Sequence, residues 1–270
     1  MIKKTTILSC AIAAFSFGTL HAQEKPPTAQ EWKLFNLELG VNRHLYKMVD
    51  LNERFVQRAI DSDTAHLTEY LNRGFQVQAR ASFRWKRYFD LGLNLGYQRG
   101  KTEHNPRARI HVDNVGGFPF WIYDSIDGIS GVKVHGFTSG LNSTFYVSEL
   151  LNFSQKENWL NRVHFGIDFQ LGYAFSRVSV YNGWPGSFMQ NANFYGEYDS
   201  HFIYGQIGLK AEYHLTRSDL LSAIGIRGGY QFYKTGTVKT VTNIEWRIEG
   251  EPMRLDFSGF YFGVYLKLGR

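Results

Sequence analysis

The chain has 270 residues, one cysteine and a formal net charge of +6, long enough for one large β domain or two small ones. Its mean hydropathy is −0.31, and no apolar run of helix-spanning length follows the N-terminal segment, which excludes a helical membrane protein. Gly 27, Phe 22 and Tyr 16 against Pro 6 is a composition of long strands, and the lone Cys10 leaves no disulfide framework and no zinc–thiolate site.

Met1-Ile2-Lys3-Lys4 is a short basic region before the mostly apolar stretch from Thr5 to Leu20. With Ala22 at the cleavage position, residues 1–22 read as a secretory signal peptide. Residues 23–32 are then a polar N-terminal periplasmic segment, and 33–270 are one β domain. Without Lys3 and Lys4 the basic excess falls to +4. The basic residues are spread along the chain, with no aromatic-interleaved patch, so no nucleic-acid partner is expected.

Eight stretches alternate apolar with small or polar residues, the period of a strand with two different faces. The first, 33–46, places Phe35, Leu37, Leu39 and Val41 opposite Asn36, Glu38, Gly40 and Asn42. The second is 75–85, with Phe75, Val77, Phe83 and Trp85 outward and Arg80 and Arg84 inward. The third, 88–99, puts Leu91, Leu93 and Leu95 against Asp90, Gly92 and Asn94. The fourth, 132–147, is marked by Phe137, Leu141, Phe145 and Val147. The fifth, 163–173, is the clearest, with Phe165, Ile167, Phe169 and Leu171 opposite His164, Asp168 and Gln170. The sixth is 202–215, with Lys210 and Glu212 inward. The seventh is 220–233, with Arg227 inward. The eighth is 255–268.

The connections alternate between long and short, the asymmetry of an outer-membrane barrel with short periplasmic turns and long extracellular loops. A soluble sandwich would bury the inner face, and Arg80, Arg84, Asp90, Asp168, Lys210, Glu212 and Arg227 with it. Burying an unpaired charge costs several kcal/mol per ion, as an order of magnitude. In a barrel lumen these seven can pair with one another, and inward glycines leave room for them. Eight strands enclose just enough space for side chains, so the lumen is expected to be mostly filled.

In loop 1, 47–74, residues Leu51, Phe55, Val56, Ala59 and Ile60 fall at helical spacing, and 63–71 is expected to add a further helical turn. Loop 2, 100–131, carries Phe118, Trp121 and Tyr123. Loop 3, 177–201, carries Tyr181 and Trp184. These aromatic residues are candidates for a recognition surface. In loop 4 the alternating 244–249 is expected to extend the seventh and eighth strands.

The signal, the eight alternating strands, the unequal loops and the aromatic C-terminal strand Phe260-Tyr261-Phe262-Gly263-Val264-Tyr265-Leu266-Lys267-Leu268 together resemble the small outer-membrane β-barrel proteins. The likeness is to the outer membrane protein beta-barrel domain group and, more distantly, to the OmpA, OmpX and OmpW types. It implies an all-β, eight-stranded antiparallel up-and-down transmembrane barrel in a Gram-negative envelope. Outer-membrane lipid, lipopolysaccharide and the barrel-assembly machinery are the implied partners. The chain departs from the commonest pattern at its end, where Gly269-Arg270 follow Leu268.

Some barrels of this kind are enzymes. The lipid A deacylases use a His and a Ser close together on one strand, whereas His135 and Ser139 lie about 13 Å apart on an ideal strand. Palmitoyl transferases carry a helix before the first strand, and here it follows. Omptin-type proteases need paired carboxylates and an Asp-His couple at the rim, for which Asp199 and His201 are the nearest match. The nine histidines show no metal spacing, and no cofactor is expected. The reading is a non-enzymatic outer-membrane barrel with a structural or surface-interaction role through its loops. The alternatives are an accessory subunit of a secretion or envelope machine of the PorT type and a narrow, porin-like channel for small solutes.

Overall fold

The computed structural model describes residues 35–56, 65–66, 70–110, 124–127, 129–153, 159–183, 194–215 and 221–269. The expected signal peptide and the 23–32 segment lie outside them. Eight strands carry the fold: β1 Phe35–Leu45, β2 Arg73–Lys86, β3 Phe89–Ile110, β4 Ile129–Tyr146, β5 Val163–Gly183, β6 Phe194–His214, β7 Leu221–Phe232 and β8 Gly259–Gly269. Each pairs antiparallel with its neighbour in sequence, and β8 returns to pair with β1 from Asn36↔Gly269 to His44↔Tyr261. The sheet is therefore a closed eight-stranded up-and-down barrel, with β3 running past the end of β2 beyond Gly100.

One rim carries the connections 87–88, 147–162 and 215–220, tightest at Arg87-Tyr88 between β2 and β3, and the other carries 46–72, 111–128, 184–193 and 233–258, longest at 46–72 and 233–258. The alternation follows from two environments. Leu93, Leu95, Leu171 and Leu209 point outward and are 59%, 62%, 63% and 69% exposed, while Asn94, Gln170 and Lys210 between them are buried. Outward apolar positions run along β5 from Phe165 to Phe175, which at 3.3 Å per residue and ~40° of tilt makes a belt about 25 Å tall.

Several strands are longer than expected, with the large extensions toward the long-loop rim. β3 continues to Ile110, β5 to Gly183, and β6 begins at Phe194. In these extensions the polarity of the faces inverts. On β5 the apolar set moves from the outward Phe169, Leu171 and Tyr173 to the buried Val178 and Val180, with Arg177 outward. On β4 it moves from outward Leu141 and Phe137 to buried Val134 and Val132.

Two loop expectations are corrected. Residues 65–66 are not helical: Ala65 and His66 pair with Pro106 and Asn105 as a short strand, because the β3 extension offers them an open edge. Loop 4 does not prolong the barrel strands. It folds into two small antiparallel pairs, Lys234–Thr237 with Arg254–Asp256 and Arg247–Ile248 with Glu251–Pro252, since its apolar residues find a partner over the mouth. The expected loop 1 helix is present as a turn over Leu51–Val56, and Ala59 and Ile60 lie outside the described residues.

Candidate functional site

The barrel interior is a layered stack of side chains. Nearest the short-turn rim, eight charges form a chain that alternates in sign. Arg80 donates two hydrogen bonds to Asp168, at 2.8 and 2.7 Å, and lies 3.8 Å from Glu38. Lys210 donates to Glu38 at 2.6 Å and sits 3.8 Å from Glu212. Lys267 donates to Glu212 at 3.0 Å and lies 4.0 Å from Asp90, which Arg84 also holds. The hydroxyls of Thr144 and Tyr265 donate to Asp168 and Glu212 at 3.0 and 3.1 Å. Multiple partners of this kind are what make buried ions tolerable. Arg227 stands apart: its Nε donates to Asn42 at 2.9 Å, its guanidinium lies over the Tyr265 ring at 5.3 Å, and its two terminal nitrogens have no hydrogen-bond partner among the described residues.

All seven charges expected in the lumen are buried there, and the fold brings six of them into the chain, leaving Arg227 outside it. Glu38 and Lys267 are the two members that the sequence reading did not single out. Their positions on inward faces were the available signal. Glycine makes space for the bulk: a Cβ on Gly225 would lie 2.2 Å from Tyr265 Cζ, and one on Gly208 2.5 Å from Tyr261 Oη.

Above the charges lies a layer of amides. Gln78 donates to Gln170 at 2.6 Å, Gln206 to Gln231 at 2.6 Å, and Asn42 to Gln76 at 2.9 Å. Above this layer, at the long-loop rim, is an apolar plug. Val132, Val134, Val178 and Val180 enter it from the long-loop ends of β4 and β5, Met48, Leu51 and Leu71 from loop 1, and Val238, Met253, Leu255 and Phe257 from loop 4, 233–258. Phe257 stacks on Tyr233 at 4.9 Å and meets Tyr46 edge-on at 5.3 Å. Burial pushes the phenols of Tyr46 and Tyr233 above their ordinary range, so both stay neutral. Asn52 clamps loop 1 by accepting from the Leu71 amide at 2.8 Å. Loop 4 is tied down by Met48 N–H to the Asp256 carbonyl at 2.9 Å and Lys47 N–H to the Ser258 carbonyl at 3.1 Å.

The short-turn end is occupied as well. After β4 a helical turn, Val147–Leu150, buries Ser148 and Glu149. Glu149 accepts from Arg87 at 2.8 Å and lies 2.9 Å from His164 Nδ1. The His164 ring is 4.3 Å from that of His214, which contacts Glu212 at 3.2 Å.

Of the aromatic loop candidates, Phe118, Trp121, Tyr123 and Trp184 lie outside the described residues. Tyr181 is on the β5 extension with Lys133 over its ring at 4.8 Å. The outward pairs weighed for catalysis are engaged elsewhere. Asp199 accepts two hydrogen bonds from Arg177, at 2.7 and 2.8 Å. His201 stacks on Tyr173 at 5.9 Å, and His135 hydrogen-bonds the Tyr97 hydroxyl at 2.6 Å.

No protein family and no curated protein matches the sequence. Among solved structures the chain is similar to the attachment invasion locus protein Ail of Yersinia pestis, at 11% identity over 86% of this chain and 97% of that one, with a TM-score of 0.36. It is similar to the outer membrane protein OprG from Pseudomonas aeruginosa, at 11% identity over 90% and 100% with a TM-score of 0.40. It is also similar to the outer membrane protease OmpT from Escherichia coli, at 10% identity over 91% and 99% with a TM-score of 0.38. Likenesses this distant add nothing to the ring of strand pairs, which by itself fixes the fold.

Proposed function

We propose that the chain is an integral outer-membrane barrel, closed and non-enzymatic, with a structural or surface-interaction role exercised through its extracellular rim. The observation that carries this reading is the inversion of polarity along β4 and β5. Where the outside is apolar, the inside is charged and amide-rich; where the outside turns charged, the inside turns apolar. The first pattern suits a wall between hydrocarbon and a polar lumen. The second suits an ordinary water-facing cap with its own core, rising above the bilayer as a platform for partners.

The plug and the layers beneath it speak for a closed lumen and against the channel reading. The existing partners of Asp199, His201 and His135 support a non-enzymatic outer surface. Cell membranes separated into inner and outer fractions, followed by gel electrophoresis with and without boiling, test the reading. An outer-membrane band that shifts on boiling, with no unitary current steps in planar bilayers, is expected. A soluble protein without a shift would remove the membrane reading. Steady steps that change when Arg80 is neutralised would replace the closed barrel with a channel.

A further inference from the structure

The barrel register gathers basic residues that are scattered in the sequence. Just above the belt, Arg43 is opposite Phe75, Phe75 opposite Arg99, Arg99 opposite His135 and His135 opposite Arg177, a single row across five strands. One step higher Lys101 is opposite Lys133, and Arg73 is opposite Leu45. These residues alternate with buried Asn42, Gln76 and Gln98, so they point out of the barrel.

Acidic partners are confined to one side. Arg177 is held by Asp199, Glu103 pairs with Lys101, and Lys133 rests on the Tyr181 ring. The side chains of Arg43, Arg73 and Arg99 have no ion pair or hydrogen bond with any described residue. Between these three and Lys101 lies a surface recess of about 550 Å³, with Phe75 in its lining. Directly below, in register, are Val41, Val77 and Tyr97.

Like charges on facing strands repel, so a cluster of three free guanidinium groups calls for an anion. The planar guanidinium fork matches the oxygens of a phosphate. The apolar wall beneath calls for acyl chains attached to that same anion. We propose that this recess binds the phosphate groups of a phosphorylated outer-leaflet glycolipid, whose acyl chains run down the belt over Val41 and Val77. The proposal rests on the membrane reading above and gives it a defined lipid contact.

The test uses the full-length barrel in a detergent with an uncharged headgroup, its heat shift checked first. Native mass spectrometry then counts bound bisphosphorylated lipid A, the same glycolipid without phosphates, and inorganic phosphate offered as competitor. Retention of the phosphorylated lipid is expected to fall about tenfold in the triple variant Arg43→Gln, Arg73→Gln, Arg99→Gln, and by as much without the lipid phosphates. Arg247→Gln, on loop 4, should leave retention unchanged. Equal retention in the triple variant, or an equal loss in Arg247→Gln, would overturn the site. Displacement by free phosphate at equal concentration would overturn the lipid as its ligand. If the triple variant gives no folded band, Arg99→Gln alone decides, with about a threefold loss expected. A wild-type chain that neither heat-shifts nor enters vesicles would instead sink the membrane reading.

Discussion

Arg80 and Arg227 are both buried cations on inward faces, yet their surroundings predict opposite responses to removal. Arg80 carries the doubly bonded Asp168 and approaches Glu38. Arg80→Met leaves Asp168 buried without its cation and is expected to cost about 3–5 kcal/mol. Arg227 has one hydrogen bond, from Nε to Asn42, and otherwise lies over the Tyr265 ring at 5.3 Å with no carboxylate bonded to it, so Arg227→Met exchanges a poorly compensated ion for a similar apolar volume. It is expected to be neutral or stabilising by up to about 4 kcal/mol. Urea unfolding midpoints of the two variants in uncharged vesicles separate these outcomes, and an equal loss in both would contradict the distinction. The sequence places both residues on inward faces because side-chain direction has a period of two. It does not say which acid meets which base, since Arg80 and Asp168 are 88 residues apart and meet only through the stagger of a closed barrel.

At the scale of elements, the strands were legible where outward Leu and Phe alternate with inward polar residues, as in β3 from Leu91 to Leu95. They were not legible above the belt. Across Arg177-Val178-Ser179-Val180 the alternation continues, but the apolar residues change from odd to even positions, and a shift of parity reads as the end of a strand. The switch records a change of solvent, not a change of backbone. Loop 4 misled for a related reason: its 244–249 alternation is real, but the inward residues Trp246 and Ile248 pack on the plug instead of continuing the wall. Phe257→Ala removes a ring that contacts Tyr233 and Tyr46 at the plug centre. It is expected to destabilise by about 3–5 kcal/mol and to expose loop 4 to protease cleavage, while the heat shift of the barrel below persists. Loss of the heat shift would mean that cap and barrel fold as one unit.

For the whole molecule, the expectation that decides most is the cost of a charge on the belt. Leu93 is an exposed leucine midway along the outward apolar stretch of β3 from Phe89 to Tyr97. In water, Leu93→Arg would cost little, since surface substitutions stay within about 0.5 kcal/mol. In hydrocarbon it is expected to cost about 2–4 kcal/mol. Reversible unfolding in lipid vesicles measures the difference, and no loss would remove the membrane setting. The closed eight-stranded ring was readable from strand number and loop asymmetry. The cationic recess was not, because Arg43, Arg73, Arg99 and Lys101 become neighbours only when β1, β2 and β3 are in register.

The seam between β1 and β8 has a consequence for assembly. The plug borrows from loop 1 and loop 4, which flank that seam, and the amides of Lys47 and Met48 bond across it to the carbonyls of Ser258 and Asp256. None of these contacts can form while the first and last strands are apart. The cap is thus a latch that sets after the ring has shut. A half-inserted chain would remain open at its mouth and sensitive to digestion from outside, and the gain of resistance would time the moment of closure.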